Sequence, residues 1–203
     1  AESLARIHTI TREAYPELAA LPGPEPGVSP ALNEVKRYEE VFRATTPNAH
    51  PVFELVFRWL YRNMPPVEDV RFVHGDFRLG NFLFDESGLT GIVDWELAHW
   101  GDPMEDLGWI CVRSWRFGGE KPVAGICDRE EFFRLYEAAG GFPVDAGRVR
   151  FWEVFGNLRW GIITITQANT YLSGRSKSVE LASIGRRTAE TEWELLRLIE
   201  GGR

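Results

Sequence analysis

The main indication of the fold comes from residues 72–106, which read FVHGDFRLGNFLFDESGLTGIVDWELAHWGDPMED. His74 and Asp76 flank a glycine, and Asn81 stands at the fifth position after Asp76. Asp94 then closes the apolar run TGIVD. Polar residues that follow short apolar runs lie where a strand leaves the core, so they are candidates for binding and catalysis.

Short β-strands are predicted on both sides of this loop, because brief apolar runs separated by Gly and Asp are typical of hairpins. The predicted strands are Val70–His74, Asn81–Asp85 and Thr90–Asp94, with a turn at Gly88 and Leu89. A hairpin returns the end of its second strand to the start of the first. Asn81 and Asp94 are therefore expected to lie close together.

The residue types in the motif suit phosphoryl transfer. A carboxylate on a tight loop can orient a hydroxyl nucleophile and accept its proton, and Asp76 is the candidate for this role. Mg²⁺ prefers hard oxygen ligands, which the side chains of Asn81 and Asp94 supply. Glu96 would face the same way as Asp94 on an extended chain, so it could reach a metal-bound water or a second metal ion.

Two other residues of the motif leave alternatives open. Arg78 could meet a phosphate or a substrate carboxylate, or it could only pair with a nearby acid. His99 is expected to face solvent or to be hydrogen-bonded within the protein. His8 and His50 belong to no recognisable constellation and are interpreted as incidental.

The rest of the chain is predicted to be mainly helical. Helices are expected to begin near Pro30 and Pro51, after Asp102 and Asp128, from about Asp145 to Leu172, and from about Val179 to Ile199. Asp102-Pro103-Met104-Glu105 has the form of a capping box. The predicted apolar stripes contain Val52, Val56, Trp59 and Leu60 in one helix, and Phe151, Phe155, Leu158, Ile162 and Ile165 in another.

The joint pattern HGDxxxxN, IVDWE and GDPMEDL resembles the catalytic loop and metal aspartate of the kinase superfamily. The residues at the variable positions of this pattern are similar to those of the aminoglycoside phosphotransferase and choline kinase branch. Protein kinases carry Arg in place of Gly75 and Phe-Gly in place of Trp95-Glu96, and the sequence lacks their A-P-E motif. The segments LARIHTI, LYEAAGG and FWEVFGNLRWGIITITQ resemble helices of the same branch, including the phosphotransferase-like domains of acyl-CoA dehydrogenase fusions.

This resemblance implies an α+β fold, a mainly helical protein-kinase-like C-terminal lobe over residues 1–203 with a small β-hairpin carrying the catalytic loop. It assigns Asp76 as catalytic base, with Asn81 and Asp94 as ligands of Mg²⁺ and hence of the nucleotide. His74 matches a residue that organises the loop, and Asp102 matches one that braces it. ATP or GTP would be the phosphate donor, and a hydroxyl of a small molecule the acceptor.

One part of the family pattern is not found in the sequence. Upstream of Phe72 there is no glycine-rich loop after a strand and no strand lysine for the phosphates. The chain also opens without Met, so we expect a fragment that lacks the nucleotide-clamping N-terminal lobe and is inactive alone. The alternatives are a non-catalytic kinase-like binding module and a protein kinase. Acceptor identity and oligomeric state stay open.

Composition excludes several other classes of function. The formal net charge is −7 and the pI about 5.2, which argues against general binding to nucleic acid or to anionic membranes. The N-terminus has no signal-peptide pattern, and the sequence has no apolar run long enough to span a bilayer. Cys111 and Cys127 are too few for a disulfide framework, so a cytoplasmic protein is expected.

Overall fold

The computed structural model describes residues 1–46, 48–66 and 70–201. Its helices in chain order are α1 (Glu2–His8), α2 (Pro30–Thr45), α3 (Pro51–Arg62), α4 (Met104–Trp109), α5 (Arg129–Ala138), α6 (Ala146–Leu172), α7 (Val179–Gly185) and α8 (Thr188–Glu200). Its strands are β1 (Arg71–Val73), β2 (Phe82–Asp85), β3 (Gly88–Ile92) and β4 (His99–Gly101). The mainly helical α+β class predicted from the sequence is confirmed.

The chain forms two compact units, which are described separately. The first comprises residues 1–31 and 65–153, so it contains α1, all four strands, α4, α5 and the first turns of α6. The second comprises residues 32–64 and 154–203 and contains most of α2 and α6, together with α3, α7 and α8. The whole motif of residues 72–106 lies in the first unit.

Two antiparallel strand pairs frame the motif in the first unit. β2 pairs with β3, with Phe82 opposite Ile92, so the predicted hairpin is confirmed. Its turn lies at Glu86 and Ser87, and the prediction of a turn at Gly88 and Leu89 was wrong, because both residues belong to β3. β1 pairs with β4, with Phe72 opposite Trp100. The sequence analysis missed β4, because three residues are too few to show an alternating pattern. Together the two pairs fix both ends of the loop that begins at His74.

The predicted cap of α4 is confirmed in part. The backbone N–H of Met104 donates to Asp102 Oδ1 at 2.9 Å, as an N-terminal cap requires. The reciprocal bond of a capping box is replaced, because the carboxylate of Glu105 accepts a hydrogen bond from His99 Nε2 at 3.1 Å. His99 is thus hydrogen-bonded and buried, which is one of the two outcomes expected for it.

The second unit packs α3 against α8. The buried face of α3 consists of Phe53, Val56, Phe57 and Leu60. The predicted stripe was correct for Val56 and Leu60 and wrong for Val52 and Trp59, whose neighbours in the sequence are buried instead. The predicted final helix is two helices, α7 and α8. Gly185 ends α7 against α6, where an added Cβ would lie 2.5 Å from Ala168 Cβ.

The long helix α6 follows its prediction closely. All five residues of its predicted apolar stripe are buried. None of the helices in the described ranges has the length and hydropathy that a bilayer-spanning segment needs.

Within the first unit, α6 meets α4 at a glycine. A Cβ built on Gly108 would lie 2.5 Å from Trp152 Cβ and 2.7 Å from the backbone nitrogen of Glu153. Neither neighbour can move without displacing the backbone of α6. The absence of a side chain at Gly108 therefore sets how closely the two helices approach.

We predict that Gly108→Ala lowers the free energy of unfolding by about 1–3 kcal/mol, because overpacking outweighs the gain of roughly 1 kcal/mol in helix propensity. Thermal and urea unfolding followed by circular dichroism measure the change. Gly147→Ala is the control, since its Cβ would meet only the Asp145 carboxylate at 3.1 Å. A Gly108 variant as stable as the control would contradict the packing argument.

Candidate active site

The loop that carries Asp76 turns sharply at Gly75. Gly75 has φ +76°, which side-chain-bearing residues rarely adopt, and a Cβ added to it would overlap the backbone carbonyl of Leu97. The chain then passes through a 3₁₀ turn at Leu79–Asn81 before entering β2. This path places the side chains of Asp76 and Asn81 next to each other at the end of the hairpin.

A buried carboxylate holds the loop in this shape. Asp106 Oδ2 accepts the backbone N–H of His74 at 2.8 Å, and Oδ1 accepts that of Gly75 at 2.9 Å. Asp106 itself is fully buried in α4. The role of bracing the loop therefore lies with Asp106, whereas the sequence analysis assigned it to Asp102.

Asp102 connects helices instead. Besides capping α4, its carboxylate accepts hydrogen bonds from Arg148 Nη2 at 2.7 Å and from Trp152 Nε1 at 2.9 Å. Both donors lie on the first turns of α6. Asp102, just before α4, and Asp106, within α4, thus stabilise different parts of the unit.

His8 was interpreted as incidental, and this was wrong. His8 is fully buried at the end of α1, and its Nε2 lies 3.2 Å from Asp106 Oδ2. Its Nδ1 lies 2.7 Å from the hydroxyl of Tyr136 in α5. Burial raises the pKa of Tyr136, so the hydroxyl stays protonated and can donate to Nδ1, leaving Nε2–H to donate to Asp106.

His74 links the loop to the strand that leads to Asp94. Its Nδ1 accepts the backbone N–H of Asp76 at 3.1 Å, and its Nε2 donates to the carbonyl of Val93 at 3.2 Å. The ring is buried against Trp95, with centroids 4.3 Å apart. Both nitrogens are therefore engaged within the protein, as befits a residue that organises a loop.

The carboxylate of Asp76 receives hydrogen bonds from three side chains. Trp109 Nε1 donates to Oδ1 at 2.8 Å, and Asn81 Nδ2 donates to Oδ2 at 2.7 Å. Arg78 Nε donates to both oxygens, at 3.0 and 3.1 Å. Trp109 was missed from the sequence, although it lies three residues after Asp106 and so on the same face of α4.

Two oxygen ligands remain available at the base of the hairpin, where the backbone N–H of Val93, the residue before Asp94, donates to the Asn81 backbone carbonyl at 3.0 Å. The amide nitrogen of Asn81 is used by Asp76, which turns the amide oxygen away from the carboxylate. Asp94 is exposed and has φ +68°, a strained conformation for a residue with a side chain. Within residues 1–46, 48–66 and 70–201, neither the Asn81 oxygen nor the Asp94 carboxylate has a hydrogen-bond or ion-pair partner. An amide oxygen and a free carboxylate fit a hard divalent cation.

Glu96 is placed differently from its prediction. The residues after Asp94 form a 3₁₀ turn, Trp95–Leu97, instead of an extended chain. The alternation argument that aligned Glu96 with Asp94 therefore does not apply. Glu96 is the middle residue of this turn, and its side chain is exposed. Its contact with a metal-bound water stays a prediction.

Three tryptophans that follow the motif in sequence are candidates for lining an acceptor pocket, and they lie in different places. Trp115 is buried beneath the Arg78 guanidinium, with 4.9 Å from the guanidinium carbon to the ring centroid. Trp152 binds Asp102, and Trp160 belongs to the second unit. Only Trp115 adjoins the residues around Asp76.

Comparison with known proteins gives a family context for this geometry. The family model described as "Phosphotransferase enzyme family" matches residues 1–152. A curated relative, acyl-CoA dehydrogenase family member 10 of Mus musculus, is 27% identical over 176 residues. That alignment covers 79% of this chain but only 16% of the relative.

Solved structures of similar fold carry phosphotransferase and kinase names. A Ralstonia eutropha protein that bears the name aminoglycoside phosphotransferase is 25% identical, with a TM-score of 0.76. The match covers 97% of this chain and 63% of that one. Choline kinase LicA from Streptococcus pneumoniae is 20% identical with a TM-score of 0.56, over 96% of this chain and 62% of its own. LicA has also been solved in complex with AMP.

The buried Asp106 should make stability sensitive to acid. Burial by itself raises the pKa of Asp106, but the hydrogen bonds from the His8 side chain and the His74 backbone N–H outweigh it, so the pKa lies below its ordinary value. The stabilisation is therefore complete above the unfolded-state pKa of about 4 and is lost as pH falls through the folded-state pKa. We predict that His8→Phe moves the acid-unfolding midpoint to higher pH.

Acid titration followed by tryptophan fluorescence measures this midpoint. His50→Phe is the matched control, because His50 also contacts a carboxylate, Glu192 at 2.8 Å, but both side chains are partly exposed. The control should leave the midpoint unchanged. Equal shifts in both variants would show that Asp106 is not the group that governs acid stability.

Proposed function

This chain belongs to the phosphotransferase enzyme family, and we propose that it carries the catalytic lobe of a small-molecule kinase. The reaction would move the γ-phosphate of ATP or GTP to a hydroxyl group of a small molecule. One observation carries the proposal. The Asp76 carboxylate is fixed by Trp109 and Asn81, and the backbone N–H of Val93, the residue before Asp94, donates to the Asn81 backbone carbonyl at 3.0 Å. The side-chain oxygens of Asn81 and Asp94 have no protein partner in the described part of the chain.

Asp76 is the proposed base. Its position is set by rigid donors, since the indole of Trp109 and the amide of Asn81 are both buried. A fixed carboxylate can orient the acceptor hydroxyl and take its proton, a contribution of typically about 10²–10⁴-fold in rate. His74 and Asp106 are positioning residues, because they act on the loop backbone and not on a reacting atom.

Asn81 and Asp94 are the proposed ligands of Mg²⁺, and Glu96 could join through a water molecule. When bound, Mg²⁺ neutralises charge on the donor phosphates, which is a main contribution to catalysis for a loose transition state. The strained backbone of Asp94 fits this assignment, because strain of this kind is concentrated at functional sites.

The names of the neighbours support the reaction class and leave the acceptor open. They include an aminoglycoside phosphotransferase and a choline kinase, and the latter has been solved with AMP. This chain spans 63% of the first of these, so the activity of a complete protein is part of the proposal. The alternative is a kinase-like module that binds a ligand without turnover.

We predict that Asp76→Ala lowers phosphate transfer by at least about 100-fold while nucleotide affinity stays within about twofold. Asp94→Ala should instead weaken binding of the Mg²⁺–nucleotide complex, because it removes a metal ligand. The measurements are transfer of labelled phosphate by the full-length protein, and calorimetric titration with Mg²⁺ and a non-hydrolysable ATP analogue.

Asp85→Ala is the control, since Asp85 lies on the same hairpin and its carboxylate is satisfied locally by Ser87. Nucleotide affinity unchanged in the Asp94 variant would refute the metal assignment. Nucleotide binding with no phosphorylated product from any acceptor class would favour the binding module.

A further inference from the structure

The guanidinium of Arg78 is held at Nε by Asp76, while its terminal nitrogens, Nη1 and Nη2, have no hydrogen-bond acceptor among the described residues. Its Nε donates to both carboxylate oxygens of Asp76, and its plane lies over the ring of Trp115. Across the described ranges, 1–46, 48–66 and 70–201, its two terminal nitrogens donate no hydrogen bond. The side chain keeps 24% of its surface exposed. Four N–H donors without a protein acceptor are therefore held beside the proposed base, on a side chain that is partly open to solvent.

We propose that Arg78 determines acceptor specificity by binding an oxyanion of the acceptor, a carboxylate, while the acceptor hydroxyl lies at Asp76. This inference rests on the proposed function of the same site. A planar guanidinium offers paired donors that match a carboxylate, and such charge-assisted pairs are strong and directional. The preferred substrate class is thus a small hydroxy acid.

The guanidinium of Arg78 lies among Gly80, Trp115 and Phe117. Its terminal nitrogen Nη1 occupies the space that a side chain at Gly80 would fill, and the ring of exposed Phe117 lies at the edge of that space. Trp115 and Phe117 belong to the segment that follows α4. The free oxygen ligands proposed for the donor phosphates lie on Asn81 and on Asp94 at the end of the β2–β3 hairpin instead. Arg78 therefore contacts the segment after α4, whereas Asp94 lies on the segment after β3.

The hydrogen bonds of Asp76 allow a hydroxyl to enter without releasing Arg78. A carboxylate has about four acceptor positions, and Trp109 and Asn81 each occupy one. Arg78 Nε shares its single hydrogen between the remaining two. A hydroxyl can take one of these while Nε keeps the other. The acceptor would then be held at its hydroxyl by Asp76 and at its carboxylate by Arg78.

The charge of Arg78 also acts against cationic acceptors. Arginine stays protonated at any physiological pH, and its charge next to Asp76 offsets the attraction that a lone carboxylate would exert on an amine. Aminoglycosides and choline are both cations. On this reasoning the chain is specialised away from the acceptors that give its structural neighbours their names.

The test uses ¹⁵N-labelled protein comprising residues 1–203. The indole N–H of Trp109 and the Nε–H of Arg78 both donate to Asp76, so their resonances report directly on the site. They are assigned by their loss in Trp109→Phe and Arg78→Gln. The probes are lactate and γ-hydroxybutyrate, with propylene glycol as a neutral acceptor and choline as a cationic one, at equal ionic strength.

We expect the hydroxy acids to shift both resonances saturably and to bind at least about tenfold more tightly than propylene glycol or choline. Arg78→Gln should reduce hydroxy acid affinity to that of propylene glycol. Arg78→Lys should fall between, because it keeps the charge but loses the paired donors. Arg113→Gln, an exposed arginine of the same 3₁₀ segment as Trp115, should bind like the parent protein.

Three results would overturn the inference. They are absence of binding by both hydroxy acids, equal binding of propylene glycol or choline, and unchanged affinity in Arg78→Gln with its Trp109 resonance intact. A shift of the Arg78 resonance by ATP alone would also overturn it, since the oxyanion would then be the donor's phosphate. If Asp94→Ala bound the Mg²⁺–nucleotide complex as tightly as the parent protein, the metal assignment of the proposed function would be refuted. The binding of hydroxy acids at Arg78 would not be affected by that result.

Discussion

The arrangement of the site depends on one buried carboxylate. Asp106 has no solvent exposure, and a charge in that position is tolerated only if it is fully hydrogen-bonded. Its partners come from three distant parts of the sequence: the end of α1, the loop after β1 and, through His8, α5. The need to satisfy one charge thus fixes the loop backbone, and the loop backbone fixes where Asp76 and Asn81 stand.

Satisfied and unsatisfied polar groups divide the site into two parts. Behind the loop, Asp106, His8 and His74 have their hydrogen-bonding groups paired, which makes that region rigid. In front of it, the Asn81 oxygen, the Asp94 carboxylate and the terminal nitrogens of Arg78 have no partner among the described residues. A loop held rigidly by paired groups, with unpaired polar groups available for a ligand, can bind a charged ligand without rearranging.

The sequence predicted those parts of the fold that have local causes. The HGDxxxxN loop, the β2–β3 hairpin and the stripe of α6 were identified because turn residues and periodicity act over a few positions. The roles of His8 and Tyr136 could not be predicted, since the two residues are 128 positions apart and meet only in the folded chain. The assignment of the bracing role to Asp102 instead of Asp106 has the same origin. Both suit a helix start, and tertiary contacts alone decide which one faces the loop.

The close approach of Gly75 to the Leu97 carbonyl bears on how this site could be regulated. In protein kinases an arginine stands at this place in the motif, and a phosphorylated activation segment becomes ordered by pairing with arginine side chains. Position 75 has no room for any side chain, and its φ of +76° disfavours one as well. The loop from His74 to Asn81 therefore has no arginine at this position through which a phosphorylated segment could order it.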